Sequence, residues 1–133
     1  MQAPARILIA DDNHALLAIL RTNLARDFHV VGSVDNGLSL LEAAERLQPD
    51  VIVTDISMPG LNGLEAVRQL QRKNPPGIVF FTVHDELAFQ EEARAVGATG
   101  YVLKSSRPEI LVNAIRAAAQ LSAAAALAPP STI

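Results

Sequence analysis

A doubly wound α/β domain is the fold class this sequence predicts, and three observations predict it. Short apolar runs alternate about five times with longer segments whose apolar residues recur at helical spacing, the pattern of parallel strands joined by helical crossovers. The run Val51-Ile52-Val53-Thr54 is apolar or β-branched throughout, as a strand buried on both faces requires. The chain has 133 residues, half of them apolar, and no cysteine, which suits one domain with a single sizeable core and no disulfide. Right-handed crossovers then imply a five-stranded parallel sheet in the order 2-1-3-4-5 with five helices, a flavodoxin-like arrangement.

Arg6-Ile7-Leu8-Ile9-Ala10 is the first strand. Asp11-Asp12-Asn13 follows, then a helix from about His14 to Arg26 with Leu17, Leu20 and Leu24 on one face. His29 to Val34 is the second strand. Asn36-Gly37 turns into a helix in which Leu38, Leu41, Ala44 and Leu47 repeat at helical spacing until Pro49 stops it. The third strand delivers Asp55 to its C-terminal end, and Met58-Pro59-Gly60 stops it, because proline lacks a ladder donor and glycine supports a tight turn. Its helix starts near Gly63 and carries Leu64, Val67 and Leu70, with Arg72 and Lys73 suited to the C-terminal end.

The fourth strand runs from Gly77 to Val83. A polar helix from about Asp85 to Val96 follows, with Gly97 as its C-cap and Gln90-Glu91-Glu92 on a solvated face. Gly100 to Lys104 is the last strand. The final helix takes Ser106 as its cap and Pro108 in its first turn, and turns Ile110, Leu111, Ala114 and Ile115 inward. Residues 1–120 make up the domain. In the tail, 121–133, alanines extend the helix until Pro129-Pro130 ends it and a linker begins.

A net charge of −3 gives no general attraction to nucleic acid or to an anionic membrane, so any DNA-binding activity is expected outside this chain. No apolar run reaches membrane-spanning length and no signal-type core follows Met1, which reads as a cytoplasmic protein. Without cysteine there are no thiolate metal sites.

In this strand order the ligand crevice lies outside the C-terminal strand ends, between strands 1 and 3. Asp11 and Asp12 follow strand 1, Asp55 ends strand 3, Thr82 closes strand 4 and Lys104 ends strand 5, so all five gather at one edge. Alone, Asp55 would read as a helix N-cap. Three clustered carboxylates, however, repel one another unless a cation neutralises them, and an all-oxygen set suits Mg²⁺ better than zinc. A hydroxyl on Thr82 and an ammonium on Lys104, on the far side, can hold the equatorial oxygens of a transferring phosphoryl group. Asp55 then acts as the nucleophile and forms an aspartyl phosphate.

From about Ile7 to Ala118 these residues resemble the receiver domains of two-component response regulators. The acidic pair Asp11-Asp12, the run Asp55-Ile56-Ser57-Met58-Pro59-Gly60, Thr82, and Gly100-Tyr101-Val102-Leu103-Lys104 carry the resemblance. It implies that Asp55 accepts a phosphoryl group from a sensor histidine kinase or a small-molecule donor. The domain would catalyse its own phosphorylation and dephosphorylation. It implies Mg²⁺ held by Asp11, Asp12, Asp55 and the backbone carbonyl of Ser57, with Lys104 paired to the phosphoryl group. Thr82 and Tyr101 look like the switch pair, and a phosphorylation-dependent homodimer is a further partner. The wording Gly60-Leu61-Asn62-Gly63-Leu64-Glu65-Ala66 and Leu103-Lys104-Ser105-Ser106 looks most like the NarL/FixJ-type transcriptional regulators, whose helix-turn-helix domain follows such a linker. A free-standing receiver acting through protein–protein contacts is the other form.

Two residues depart from the pattern. Ser105 stands where many receivers have proline, often after a cis bond, and Val83 where a smaller residue leaves an open path to the phosphoryl group, so Val83 is expected to hinder access. His14, His29 and His84 are too scattered for a metal cluster and suit surface or capping roles, with His84 at the site mouth. Asp50, Asp85 and Glu86 suit turns and helix starts. Three alternatives stand beside the receiver reading. A flavin-mononucleotide binder would need a hydroxyl- and glycine-rich phosphate loop where Asp11-Asp12 stands. A Mg²⁺-dependent phosphatase with an aspartyl nucleophile would expect a second aspartate at Ser57. The third is an interaction domain that has lost phosphorylation.

Overall fold

The structure, a computed structural model, describes residues 3–70 and 74–127, with side chains described as far as residue 123. Five strands, β1 (Arg6–Ala10), β2 (His29–Val34), β3 (Val51–Thr54), β4 (Gly77–Thr82) and β5 (Gly100–Leu103), alternate with helices. The helices are α1 (His14–Leu24), α2 (Gly37–Leu47), α3 (Gly63–Gln69), α4 (Leu87–Ala95) and α5 (Pro108–Leu127). All strand pairs are parallel and the order is β2-β1-β3-β4-β5, as expected.

Because successive strand residues point to opposite faces, each strand feeds two cores. Ile7, Ile9, Val51, Val53, Val79, Phe81 and Val102 pack with Leu17, Leu20 and Leu24 of α1 and Leu111, Ile115 and Ala118 of α5. Leu8, Ala10, Ile52, Ile78 and Phe80 pack with Leu40, Ala43 and Ala44 of α2, Leu64, Ala66 and Val67 of α3, and Ala93 of α4. β3 is buried along its whole length, which is why its sequence shows no alternation.

Asparagine caps start the three helices that follow β1, β2 and β3. Asn13, Asn36 and Asn62 accept hydrogen bonds from the amides of Leu16, Ser39 and Glu65 at 3.0, 2.9 and 2.8 Å, satisfying donors that the first helical turn leaves open. Gly97, at φ +94°, closes α4 as its sequence suggested, with the Ala98 amide bonded to the Ala93 carbonyl.

Several boundaries and faces differ from expectation. α1 stops at Leu24 and not Arg26, since the amides of Asp27 and Phe28 turn back onto the Leu24 carbonyl. α4 begins at Leu87, two residues past Asp85, because residues 83–86 form a separate loop at the site edge. β4 and β5 end at Thr82 and Leu103, one residue short of Val83 and Lys104. The buried stripe of α2 centres on Leu40, Ala43 and Ala44, leaving Leu38 69% exposed; Leu41 and Leu47 are only partly buried. α2 packs against both the sheet and α3, so small alanines sit at its close approach. Ile110 is exposed in the first turn of α5, turned away from the face that carries Leu111 and Ile115, which are buried, and Ala114, which is partly so. α5 starts directly after Arg107, and the Ser106 amide donates to Leu103, so Ser106 does not cap it. Arg72, Lys73 and Pro129-Pro130 lie outside the described residues.

Gly63 decides how tightly α3 returns to the end of β3. Its amide donates to the Ile56 carbonyl at 2.8 Å, and a Cβ there would lie 1.9 Å from the Asp55 carbonyl oxygen. Backbone would have to move. Gly63→Ala is therefore expected to destabilise the fold by about 3 kcal/mol, the upper end of overpacking costs. Gly60→Ala, in open space but at φ +70°, should cost only about 1 kcal/mol. Urea unfolding checks both; a Gly63 variant no less stable than the Gly60 variant contradicts the crowding.

Candidate functional site

Strand register builds the site. Ala10 stands opposite Thr54 across the β1–β3 pair, and the Asp55 amide continues the ladder by donating to the Ala10 carbonyl at 3.0 Å. The residues at the ends of the two strands, Asp11 and Asp55, therefore emerge side by side. On the other edge Thr82 pairs with Leu103, and the Lys104 amide donates to the Thr82 carbonyl at 2.8 Å.

Each Asp55 carboxylate oxygen has a partner: Oδ1 accepts from the Ile56 amide at 2.7 Å and Oδ2 from Lys104 Nζ at 2.8 Å. Asp11 is held the same way, Oδ1 by the Asn13 amide at 2.9 Å and Oδ2 by Lys104 Nζ at 2.7 Å. Both aspartates are buried, whereas Asp12 is exposed. Carboxylate oxygens of Asp11, Asp12 and Asp55 lie within 4.8 Å of one another, close enough to share one metal ion.

Lys104 does not stand on the far side of the crevice as expected. Its ammonium bridges Asp11 and Asp55 directly, because the nearest cation is drawn to buried like charges that water cannot screen. Burial works to lower the Lys104 value, but the hydrogen bonds and charges of Asp11 and Asp55 outweigh it and hold the ammonium above its ordinary range. Its contribution to stability is present in full below the ordinary lysine value and is lost as pH rises through the raised one. Burial pushes the Asp11 carboxyl up, against the opposing pull of Lys104 and the Asn13 amide. Folded Asp11 thus holds its proton to higher pH than the unfolded chain, and stability falls as pH rises through that raised value. One ammonium serves two buried carboxylates with a third beside them. This all-oxygen set, with negative charge left over, fits a hard divalent cation.

Thr82 is fully buried at the end of β4, and its Oγ1 accepts from the His84 amide at 3.3 Å. Tyr101 is half-buried, tilted at 49° to Phe80 with ring centroids 6.5 Å apart. Its hydroxyl donates to the His84 carbonyl at 2.7 Å. Ser57 is exposed two residues past Asp55, and its hydroxyl shares a hydrogen bond of 2.8 Å with His84 Nε2. Among the described residues no peptide bond is cis, so Lys104–Ser105 is trans. Val83 is 70% exposed beside Thr82, at the start of the loop that follows β4.

His14 is exposed and pairs with Asp35 at 2.8 Å, and this hydrogen bond, with one from Asn36, lowers the Asp35 carboxyl. The Asp50 carboxylate accepts from the Arg6 amide at 2.8 Å and serves the turn before β3. Two features went unread in the sequence: the close fit of Gly63 behind Asp55, and the Ser57–His84 bridge. The second had a signal. Each of its residues stands two positions past the last site residue of neighbouring strands.

The family model for the response regulator receiver domain matches residues 7–116. The chain is 41% identical over 121 residues to the nitrate/nitrite response regulator protein NarL of Escherichia coli K12, covering 89% of this chain and 56% of that protein. It is 33% identical over 118 residues to the transcriptional regulatory protein DegU of Brevibacillus brevis, covering 86% and 50%. The chain thus spans about half the length of these relatives. Its fold is similar to a crystal structure of a LuxR-family two-component response regulator from Aurantimonas sp. SI85-9A1, with a TM-score of 0.83, 33% identity and coverage of 89% and 86% of the two chains. Among the described residues no helix is long and apolar enough to cross a membrane.

Proposed function

We propose, for a chain that belongs to the response regulator receiver domain family, that Asp55 is its phosphoacceptor and that Thr82 and Tyr101 report the modification. The observation that carries this reading is a buried carboxylate within ligand reach of Asp11 and Asp12 and hydrogen-bonded to the Lys104 ammonium. A divalent ion, Mg²⁺ by the chemistry of its donors, would be held by Asp11, Asp12, Asp55 and the Ser57 backbone carbonyl, neutralising the carboxylates and polarising the phosphoryl oxygens.

The chain's own groups do the rest. The Ile56 amide fixes the Asp55 carboxylate through Oδ1, which presents Oδ2 for in-line attack on phosphorus. As the Asp55 O–P bond forms, the donor's bond to phosphorus breaks, an N–P bond when the donor is the phosphohistidine of a sensor kinase. Lys104 moves its ammonium from the two carboxylates to the incoming equatorial oxygens, where charge grows in the transition state. The Thr82 hydroxyl gains a phosphoryl acceptor present only in the modified state, and releases the β4–α4 loop amide that it now receives.

We read the donor as a sensor histidine kinase and the response as transcriptional, exerted through a self-associated form; the relatives' names as response and transcriptional regulators support the transcriptional part. Incubation with acetyl phosphate and Mg²⁺ tests the core of the reading. One phosphoryl group per chain, labile to hydroxylamine as an acyl phosphate is, supports it; no adduct, or turnover of a phosphomonoester, refutes it. Asp12→Asn is expected to weaken Mg²⁺ binding about tenfold by removing one ligand charge and to slow phosphorylation, while leaving the metal-free fold as stable as the parent or more so. Titration calorimetry with unchanged Mg²⁺ affinity would exclude Asp12 as a ligand.

A further inference from the structure

His84 stands where three parts of the site meet. Its ring crosses from the β4–α4 loop to the β3–α3 loop by sharing a 2.8 Å hydrogen bond with the Ser57 hydroxyl. The same ring stacks on Phe89 of α4, with centroids 4.5 Å apart and planes 30° from parallel, and Nδ1 lies 3.8 Å from a Glu86 carboxylate oxygen. The His84 backbone meanwhile serves the site. Its amide donates to Thr82 Oγ1, and its carbonyl receives the Tyr101 hydroxyl.

Farther along, the loop is tied to α4, by Gln90 Nε2 on the Asp85 carbonyl and the Phe89 amide on the Glu86 carbonyl. Val83, Asp85, Glu86 and Leu87 are all exposed, and Glu86, at the N-cap of α4, makes no side-chain cap hydrogen bond. His84 is the one residue from 83 to 87 drawn inward. The contacts of its ring thus join the backbone hydrogen bonds in setting where its carbonyl sits.

We infer that the Ser57–His84 hydrogen bond is a latch that keeps the β4–α4 loop in the form that docks Tyr101, and that it does so without a phosphoryl group on Asp55. Ser57 lies on the loop that leaves Asp55, so a rearrangement of that loop reaches Tyr101 through His84 by a route separate from the Thr82 hydroxyl. The docked state then has a population of its own, set by the latch, which modification biases further and does not create. The consequence for signalling rests on the switch reading of Tyr101; the latch itself does not.

Tyr101 is the sole tyrosine and the chain has no tryptophan, so intrinsic fluorescence reads this ring alone. Acrylamide quenching is measured on the full chain, free of metal and unphosphorylated, in three variants whose far-UV spectra match the parent. Ser57→Ala removes the hydroxyl, His84→Phe keeps the stack on Phe89 but loses the hydrogen bond, and Ser57→Thr keeps the hydroxyl. Losing one exposed hydrogen bond shifts a two-state loop by about threefold, so the undocked-to-docked ratio should rise about that much, and the quenching constant with it, in the first two, and both should stay parental in the third. Parental quenching in Ser57→Ala and His84→Phe overturns the latch, as does Ser57→Thr quenched like Ser57→Ala. Since no phosphoryl group or metal is present, that failure would leave the phosphoacceptor reading standing, and a failure to phosphorylate would leave the latch standing.

Discussion

Asp55→Ala is expected to gain no mass from acetyl phosphate and Mg²⁺ under conditions in which the parent gains one phosphoryl group. The effect is all-or-none for a geometric reason. Of the buried carboxylates at the crevice, Asp11 leaves its strand beside Asp55 but is tied back to its own loop through the Asn13 amide. Asp55 is the one held by the amide of the residue that follows it and paired to Lys104 across the sheet. Lys104 reaches both carboxylates, so the variant tests which of the two takes the phosphoryl group, and the proposed nucleophile is Asp55. Chelating the metal should abolish modification of the parent equally well, because uncompensated carboxylates repel an approaching phosphate. Asp55→Asn is the sharper control, since it preserves shape while removing the nucleophilic charge. An asparagine variant modified at position 55 as fully as the parent would end the assignment.

Lys104→Met is expected to lose about 3 kcal/mol of stability at neutral pH without metal, the scale seen when one partner of a buried ion pair is removed. Methionine retains much of the aliphatic packing, so the loss reports on charge: Asp11 and Asp55 remain buried, side by side, without their shared cation. The sign of two further responses follows. Acidification should recover part of the loss, because a proton can replace the ammonium on Asp11, whose carboxyl burial already pushes up. Mg²⁺ should stabilise the variant more than the parent, since in the parent the ammonium already neutralises part of the charge on Asp11 and Asp55 that a metal would meet. In the parent, alkaline pH should reproduce the loss as Lys104 deprotonates above its raised value. Urea melts at several pH values, with and without Mg²⁺, measure all of this. A variant as stable as the parent in metal-free buffer would mean that the ammonium is not what holds the two carboxylates together.

Much of the architecture was legible in the residues because it depends on patterns repeated along the chain. β-branched and apolar continuity marked β3, the leucine spacing marked the core face of α1, and βα alternation led to the strand order. From that order alone Asp11, Asp12, Asp55, Thr82 and Lys104 could be assigned to one edge, since parallel strands must all end on the same side. Helix faces were less legible where packing was uneven. Leu38 and Ile110 matched the helical repeat, yet they face outward while Leu40 and Leu111 in the same first turns are buried, and only the rotation of each helix on the sheet could exclude them.

What the sequence by itself determined is which chemical groups meet: strand ends are local, and a period of two or of 3.6 carries them to a definite place. What only the tertiary structure decided is how those groups touch. Lys104 bridges Asp11 and Asp55 because burial removes the water that would otherwise screen them. Gly63 is required because the α3 backbone returns to within a Cβ radius of the Asp55 carbonyl. Ser57 and His84 meet across two loops 27 residues apart in the chain. Each of these is a distance between segments remote in sequence, and such distances are set by the packing of two helical layers on a twisted sheet, which no local pattern encodes.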